Sequence, residues 1–370
     1  MSKPVLIAGA GIAGLTAALA LAGRGLEARV VERVPKLDPL GAGIQLSPNA
    51  TRILFSLGLE APLRAASVRP EAVRMFDARN GRELAHVPLG AWGEERWGAP
   101  YLTVHRGDLQ EMLLEAAERG PGVSIDLASP VEDVARRGET LIGADGVHSQ
   151  VRKNMGLRGS RESGLTAWRA MMSFEDAAER GLPFRQDAVC AFLHPRAHLV
   201  SYPVRAGRSV NIVAFAGTGG TVGRSSDRVA FAYALRDAMP ALAKLTESKK
   251  LWSAWDLRTM PPARWVHPGS TVLIGDAAHA TTPFAAQGAA MGIEDAATLA
   301  AVLAQSGDLQ AWEAARKKRF ARVVRRGLLN RVTWHAEGPV AFARNTLLKR
   351  LAPEKMATDL DWLYGWRADA

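Results

Sequence analysis

Cysteine is almost absent from this 370-residue chain, in which Cys190 is the single example. An internal disulfide is therefore excluded, and we expect a protein of a reducing compartment, the cytoplasm. Long apolar runs are missing too: the run at residues 15–22 is far below the roughly 20 residues that span a bilayer. The first strand should begin near residue 4, so we expect no signal peptide and no stable membrane association. No H-x-x-H, C-x-x-C or clustered carboxylates indicate a metal site.

Acidic residues are outnumbered, since 47 Lys and Arg against 37 Asp and Glu give a formal net charge of +10. This charge favours anionic cofactors and substrates. Nucleic acid is the rival partner for a basic protein, but the basic residues are scattered except within residues 316–326. We expect that stretch to be the solvated face of an amphipathic helix, with Phe320, Val323 and Leu328 turned inward. The pattern predicts no nucleic-acid partner.

A glycine-rich turn follows the first apolar segment. Gly9, Gly11 and Gly14 form G-x-G-x-x-G between a buried-type strand at residues 5–8 and a small-residue helix at residues 15–22. The first glycine permits a tight turn, the second lets the backbone approach a pyrophosphate, and the third lets helix and strand pack closely. The helix N-terminus then faces the phosphates with unpaired amides. The turn predicts a dinucleotide site.

Acidic residues end three further apolar segments. Glu32 follows a second strand, where a carboxylate binds ribose hydroxyls and favours NAD or FAD over a phosphorylated ribose. Asp145-Gly146 and Gly275-Asp276 each follow a strand-like run. Helix N-capping is the alternative role for both aspartates, and it is compatible with cofactor binding. Because the chain has one complete glycine fingerprint, a tightly held FAD fits better than two separate dinucleotides.

Further segments match a known family in order. They are GAGIQLSPN at 41–49, HRGDLQ at 105–110, AWR at 167–169, PFAAQG at 283–288 and LDWLY at 360–364. With the turns above, they resemble the flavin-dependent aromatic hydroxylases, single-component FAD monooxygenases that include 4-hydroxybenzoate, salicylate and 3-hydroxybenzoate hydroxylases. The resemblance covers nearly the whole chain. It implies an α/β fold: a Rossmann-like FAD-binding domain with a parallel sheet, plus an inserted substrate domain with a mainly antiparallel β-sheet.

The resemblance also implies roles for individual residues. Asp276 would bind the flavin ribityl chain, Asp145 would serve both FAD and nicotinamide binding, and Pro283 would line the flavin ring. Ala286 stands where many relatives carry glycine. The predicted cofactor-binding residues are Gly9, Gly11, Ala13, Gly14, Glu32, Arg33, Arg106, Gln110, Asp145, Gly146, Gly275, Asp276, Pro283, Gln287 and Gly288.

The substrate side is predicted from a hairpin at residues 199–215, with a turn at 205–208. His198 and Tyr202 are four residues apart and therefore face the same side of the strand. In some of these hydroxylases such a pair assists deprotonation of a phenol, so both are our candidate catalytic residues, with a buried structural pair as the alternative. The predicted substrate pocket comprises Gln45, Pro283 and Phe284. We expect His279 to pack behind the Gly275-Asp276 turn.

The implied reaction is hydroxylation of a phenolic or carboxylated aromatic substrate, with O2, NADH or NADPH, and a flavin hydroperoxide. The alternatives are a non-catalytic flavin-binding protein, or a flavin reductase or halogenase; the halogenase motif W-x-W-x-I-P is missing. We expect a monomer or homodimer. The predicted domains are 1–70, 96–154 and 269–335 for FAD, 71–95 and 155–268 for substrate, and a helical segment at 336–370. The chain is short at 123–141 and 216–226, where relatives have more strands or loop.

Overall fold

The fold is taken from a computed structural model that describes residues 3–37, 41–134, 140–217, 228–248, 250–268 and 270–368. Within these ranges the strands are β1 (Val5–Ala8), β2 (Ala28–Val31), β3 (Gly43–Leu46), β4 (Ala72–Asp77), β5 (Glu83–Pro88), β6 (Leu102–His105), β7 (Val123–Asp126), β8 (Leu141–Gly143), β9 (Arg161–Ser173), β10 (Ala188–Leu193), β11 (Ala197–Val204), β12 (Ser209–Gly217), β13 (Ser253–Thr259), β14 (Val266–His267) and β15 (Thr271–Leu273).

The helices of the same ranges are α1 (Ile12–Ala22), α2 (Pro48–Ser56), α3 (Glu60–Ala66), α4 (Gly90–Trp97), α5 (Arg106–Arg119), α6 (Val131–Val134), α7 (Gln150–Asn154), α8 (Phe174–Glu179), α9 (Arg228–Ala234), α10 (Pro240–Leu245), α11 (Asp276–His279), α12 (Gly288–Ala304), α13 (Leu309–Trp334), α14 (Gly338–Arg350), α15 (Pro353–Thr358) and α16 (Asp361–Tyr364). Short 3-10 turns occur at Gly146–His148 and Pro283–Ala285.

The first sheet has the order β14-β15-β8-β1-β2-β7 and is parallel except for β14. Strand β1 is buried along its whole length because it lies in the middle of the sheet, with helix α1 packed against it. The registers align Ala8 with Gly143 and Gly143 with Leu273, so β1, β8 and β15 end together. This end, called the carboxyl edge below, is where open α/β sheets bind ligands.

The second sheet has the order β13-β9-β12-β11-β10-β4-β5 and is antiparallel except for the β10–β4 pair. Strands β11 and β12 form the predicted hairpin, with Val204 opposite Ser209. Strand β11 is buried on both faces, since alternate residues belong to two different apolar clusters. A parallel sheet and a mainly antiparallel sheet were predicted, and this fold class is confirmed.

The connection between β7 and β8 is compact. It contains the short helix α6, and the described residues 127–134 and 140 include no strand. The short stretch noted in the sequence is therefore bridged without added sheet over that part. The stretch at 218–227 and residues 135–139 lie outside the described residues.

Helix α13 corrects the prediction for the basic stretch. Arg316 and Arg319 are only 3% and 9% exposed, because both pair with buried carboxylates of α12. Val323 is buried and Phe320 packs against the core, as expected. Leu328 was predicted to face inward and is 54% exposed. Arg316 and Arg319 therefore form internal contacts, and the solvated-face interpretation was wrong for these two. Lys318, Arg322 and Arg325 of the same stretch are exposed, as that interpretation predicted.

Candidate functional site

The glycine turn leaves one open position at the start of α1. Gly9 has a φ of +104°, and a Cβ there would lie 2.7 Å from the carbonyl oxygen of Ala144. A Cβ on Gly14 would lie 1.9 Å from the Gly9 oxygen, so the helix can pack this closely only with glycine. At Gly11 no atom lies within 4 Å of that position. A phosphate can therefore approach the backbone amides at the helix N-terminus.

Two side chains of the predicted cofactor set hold Ala10 at the centre of this turn. The Ala10 amide donates to Glu32 Oε2 at 3.0 Å, and Gln110 Nε2 donates to the Ala10 carbonyl oxygen at 2.8 Å. Glu32 and Gln110 are thus brought to the turn and also fix its backbone. Arg33 and Arg106 are exposed, and their guanidinium groups have no hydrogen bond to the described part of the chain.

Asp276 begins helix α11 at the carboxyl edge. Gly275 has a φ of +57°, and a Cβ there would lie 3.1 Å from the Cβ of Ala13. Gly292 of α12 has the same spacing to Ala13, so α1 and α12 meet where small residues are required. The Asp276 carboxylate is exposed and accepts no hydrogen bond from the described chain. It is free to bind a ligand hydroxyl.

The Asp145 carboxylate is already used by the protein. Its Oδ1 accepts from Ser149 Oγ at 2.5 Å, and its Oδ2 accepts from the amides of Gln150 and Val151 at 2.6 and 3.0 Å. These bonds cap helix α7, which is the alternative role considered for this residue. Gly146 beside it has a φ of +75°. A cofactor contact by Asp145 stays a prediction.

Arg152 of α7 connects the two acidic turns. Its guanidinium donates to the carbonyl oxygens of Ala277 and Ala278 at 3.2 and 3.3 Å and to that of Pro261 at 2.9 Å. Burial lowers the pKa of Arg152. Carbonyls at a helix end lack intrahelical partners, so these bonds fix α11 in place. Asp145 therefore positions Asp276 through α7 and Arg152.

The segment before α12 combines a held side chain with an open helix end. Ala286 takes the left-handed conformation, with φ +51° and ψ +35°. The buried Gln287 donates through Nε2 to Ser47 Oγ at 2.9 Å and accepts from Asn49 Nδ2 at 3.2 Å. Gly288 is exposed, and no atom lies within 4 Å of its Cβ position. The positive end of α12 is thus open toward an anionic or electron-rich group.

Behind this segment lies a buried cluster that the sequence analysis missed. The α12–α13 ionic cluster consists of Glu294, Asp295, Arg316 and Arg319. Glu294 accepts from Arg319 Nη2 and Arg316 Nη1, both at 2.8 Å, and from Asn49 Nδ2 at 2.7 Å. Two adjacent acids inside an otherwise apolar helix were the available signal, since a buried carboxylate requires a partner.

Asp295 extends this cluster to the Asp276 turn. It accepts from Arg316 Nε at 2.8 Å, from the Gly275 amide at 3.0 Å and from His279 Nε2 at 2.5 Å. Burial would raise the pKa of Asp295, but His279 and Arg316 lower it to about 2. His279 is buried against Trp265 at 4.9 Å between ring centroids, behind the turn as expected. The ionic cluster therefore supports the backbone that presents Asp276.

On the substrate side, His198 is buried where the second sheet meets the Pro283–Ala285 turn. Its ring lies 4.7 Å from Phe215 and 5.3 Å from Phe284. Its Nδ1 is 3.0 Å from Nε2 of His335, and Nε2 of His198 has no hydrogen-bond partner among the described residues. Burial, with a contribution from His335, lowers the pKa of His198 well below its usual value. The lowered pKa favours the uncharged imidazole, and Nε2 is its free nitrogen within the described chain.

Tyr202 lies about 13 Å further along the strand, from four residues at about 3.3 Å each. It faces the same side as His198, as predicted, but its hydroxyl donates to the carbonyl oxygen of Gly43 at 2.6 Å. A Cβ on Gly43 would lie 2.6 Å from the Tyr202 ring, so β3 and β11 touch here. Gln45 accepts from Tyr101 at 2.6 Å. A catalytic role for Tyr202 stays a prediction. In the structure its hydroxyl bond to Gly43 joins β11 to β3.

Comparison with known proteins identifies the family. A model described as "FAD binding domain" matches residues 2–326. The 3-hydroxybenzoate 6-hydroxylase of Polaromonas naphthalenivorans (strain CJ2) is 33% identical over 98% of this chain and 96% of that protein. The 3-hydroxybenzoate 6-hydroxylase 1 of Aquipseudomonas alcaligenes is 34% identical over 99% and 98%. The chain belongs to the FAD-binding family of flavin-dependent aromatic hydroxylases.

A solved structure supports the fold of this hydroxylase independently. Klebsiella pneumoniae HpxO complexed with FAD and uric acid is 24% identical to this chain and superposes with a TM-score of 0.81. The match covers 96% of this chain and 95% of that one. The predicted family and the FAD cofactor, with NAD(P)H and O2, are confirmed. No helix of the described residues is long and apolar enough to cross a membrane. The same residues contain no group of three or more potential metal ligands.

Proposed function

We propose that this hydroxylase acts on a phenol that carries a carboxylate, and that His198 takes the phenolic proton. The supporting observation is the environment of His198: a buried neutral imidazole with a free Nε2, in ring contact with Phe284 of the turn that leads into α12. The lowered pKa favours the uncharged ring, which leaves the Nε2 lone pair available to accept a proton. The relatives' names, both 3-hydroxybenzoate 6-hydroxylases, fit a phenolic carboxylate.

Arg169 supports the carboxylate part of the proposal. It is half-buried on β9, and its guanidinium lies 5.5 Å above the Trp255 ring. The guanidinium makes no hydrogen bond or ion pair with the described chain. Burial lowers the pKa of Arg169, and Tyr202 acts in the opposite direction. An unpaired, half-buried guanidinium favours an anionic ligand, because a carboxylate bound to it gains two parallel hydrogen bonds.

FAD fits the carboxyl edge, since Gly11 leaves room for the pyrophosphate, Asp276 is free for a ribityl hydroxyl, and Gly288 opens the helix end. When bound, FAD supplies hydride acceptance from NAD(P)H and the activation of O2. The chain orients the substrate ring, excludes water with Phe215, Phe284 and Trp334, and accepts the phenolic proton at His198 Nε2. Removal of that proton makes the ring more nucleophilic toward oxygen.

The test is ligand-stimulated NAD(P)H oxidation with product analysis. We expect stimulation by 3-hydroxybenzoate or an isomer, and none by benzoate, which has no phenolic proton. In His198→Ala we expect turnover to fall about 100-fold or more, with FAD content unchanged. Arg169→Met serves as the matched variant, because it should raise KM for the carboxylated phenol and leave phenol itself unaffected. Unchanged turnover in His198→Ala would remove the proposed base.

Cellular context is proposed on narrower grounds. Cys190 is buried, and burial raises the pKa of its thiol to about 11, which keeps the thiol protonated and unreactive. A single inert thiol suits the cytoplasm. We also propose a monomer or homodimer, and a bound FAD that stays with the enzyme while NADH or NADPH binds transiently.

A further inference from the structure

A second histidine lies directly behind the proposed base. We propose that His335 is a positioning residue that relays the proton from His198 to solvent. This inference rests on the proposed function, because it needs a phenolic proton at His198. His335 lies at the junction between α13 and α14. This junction is separate in sequence from the glycine turn and from both acidic turns.

The geometry gives His198 a single polar exit. Its side chain is 1% exposed, and its ring is surrounded by Phe215, Phe284 and Trp334 at 4.7 to 5.3 Å between centroids. The hydrogen bond of 3.0 Å to His335 Nε2 is the one polar contact of this side chain within the described chain. When His198 accepts a proton at Nε2, the proton on its Nδ1 can therefore pass to His335. The phenylalanine neighbours have no group that could accept it.

His335 is the more exposed member of this histidine pair. It is half-buried at the C-terminal cap of α13, where its amide donates to the Arg331 carbonyl at 3.2 Å. Its charged and titratable neighbours are Arg331 on the same helix and His194 at the end of β10, and His194 contacts Asp237 at 3.1 Å. Arg344 of α14 donates through Nη1 to the carbonyl oxygens of Thr333 and Trp334, which precede His335 at this helix end.

These neighbours keep the relay uncharged between transfers. Burial, followed by the charges of Arg331 and His194, lowers the pKa of His335 to about 4. Both histidines are therefore neutral at neutral pH, and neither holds the proton once it has arrived. Because neither imidazole stays protonated, the His198–His335 pair can transfer a proton without retaining it.

The relay consists of three successive proton transfers, and in each one a bond to hydrogen breaks as another forms. The substrate O–H breaks as an N–H forms at His198 Nε2. The His198 Nδ1–H breaks as an N–H forms at His335 Nε2, and the His335 Nδ1–H breaks as its proton passes to water. The substrate is left as a phenolate, and both imidazoles end neutral in their other tautomer. Return of a proton along the same path when the product leaves restores the starting tautomers.

A relay changes the rate of ionisation and leaves its equilibrium unchanged, which separates it from a structural role. We would bind 4-nitrophenol to the FAD-loaded enzyme in a stopped-flow instrument and follow phenolate absorbance. In His335→Gln we expect the rate to fall about tenfold or more, with the final amplitude, 4-nitrophenol affinity and FAD content unchanged. Turnover with the active substrate should fall with KM unchanged. Imidazole added to His335→Ala should restore the rate, because the position is reachable from solvent.

His267→Gln is the matched control, because this histidine lies on β14 at the edge of the first sheet and should leave every rate unchanged. A wild-type rate in His335→Gln would overturn the relay while leaving His198 as the base. A changed amplitude, or no rescue by imidazole, would make His335 a packing residue and also overturn it. If wild-type enzyme shows neither ligand-stimulated NAD(P)H oxidation nor phenolate formation, the proposed function fails and the relay fails with it.

Discussion

The carboxyl edge and the α12–α13 ionic cluster both contain carboxylates, but these carboxylates differ in burial and in hydrogen bonding. In the cluster, Glu294 and Asp295 are fully buried and accept hydrogen bonds on all their oxygens from within the chain. At the edge, Asp276 is exposed and unbonded, and the backbone at Gly11 and Gly288 is open. Groups satisfied internally hold the backbone, whereas groups left open are completed by the ligand.

The difference follows from desolvation. A charge removed from water is costly unless protein groups replace its hydration, so the acids of α12 need the two arginines of α13 in every state of the enzyme. Asp276 keeps its hydration until a ligand hydroxyl replaces it, and therefore costs the unliganded fold little. The two regions meet at Gly275, whose amide binds Asp295 while the next residue faces the ligand.

Glu294→Ala should have the largest effect, because it leaves Arg319 buried without its carboxylate. We expect a loss of about 3–5 kcal/mol in the free energy of unfolding, measured by chemical denaturation. Glu115→Ala is the control, since its pair with Arg119 is exposed and should contribute at most about 1 kcal/mol. Equal losses in both variants would show that the cluster is no more important for stability than a surface pair, and would break the comparison.

Asp276→Ala should have the converse effect. We expect FAD affinity to fall about 10- to 100-fold, which corresponds to about 1.4–2.7 kcal/mol, while the unfolding free energy of the FAD-free protein changes by less than about 0.5 kcal/mol. Fluorescence titration of FAD and denaturation of the FAD-free protein measure the two quantities separately. Asp276→Asn keeps an acceptor oxygen, so its FAD affinity should lie between those of the wild type and Asp276→Ala. FAD retention at the wild-type level in Asp276→Ala would refute the assigned role.

The same contrast explains what the sequence could reveal. The glycine turn, Glu32 and Asp276 were predictable because each follows an apolar strand, and parallel strands end at one edge. The arginine partners of Glu294 lie 22 to 25 residues away on another helix, so no local pattern pairs them. The basic residues of α13 were therefore assigned to solvent, the ordinary position of charge on a helix.

The substrate side was only half predictable for a related reason. Strand alternation placed His198 and Tyr202 on one face, which is confirmed by β11. Alternation carries no information about partners from elsewhere in the chain, such as His335, which is 137 residues from His198. It also could not show that the Tyr202 hydroxyl is bonded to Gly43, because that contact forms only when β3 packs against the second sheet.

Ala286→Gly should have the smallest effect, and it tests the junction between the held Gln287 and the open Gly288. Ala286 is in the left-handed region, which costs an L-residue about 1–2 kcal/mol and glycine almost nothing. Glycine loses about 0.4–1 kcal/mol more through the entropy of the unfolded chain, so a net gain between about 0 and 1.6 kcal/mol in unfolding free energy is expected. Ala301→Gly, inside α12, should instead lose about 0.5–1 kcal/mol. If both variants lose stability alike, Ala286 is unstrained; if Ala286→Gly gains stability but binds FAD more weakly, the alanine holds this junction rigid for the cofactor.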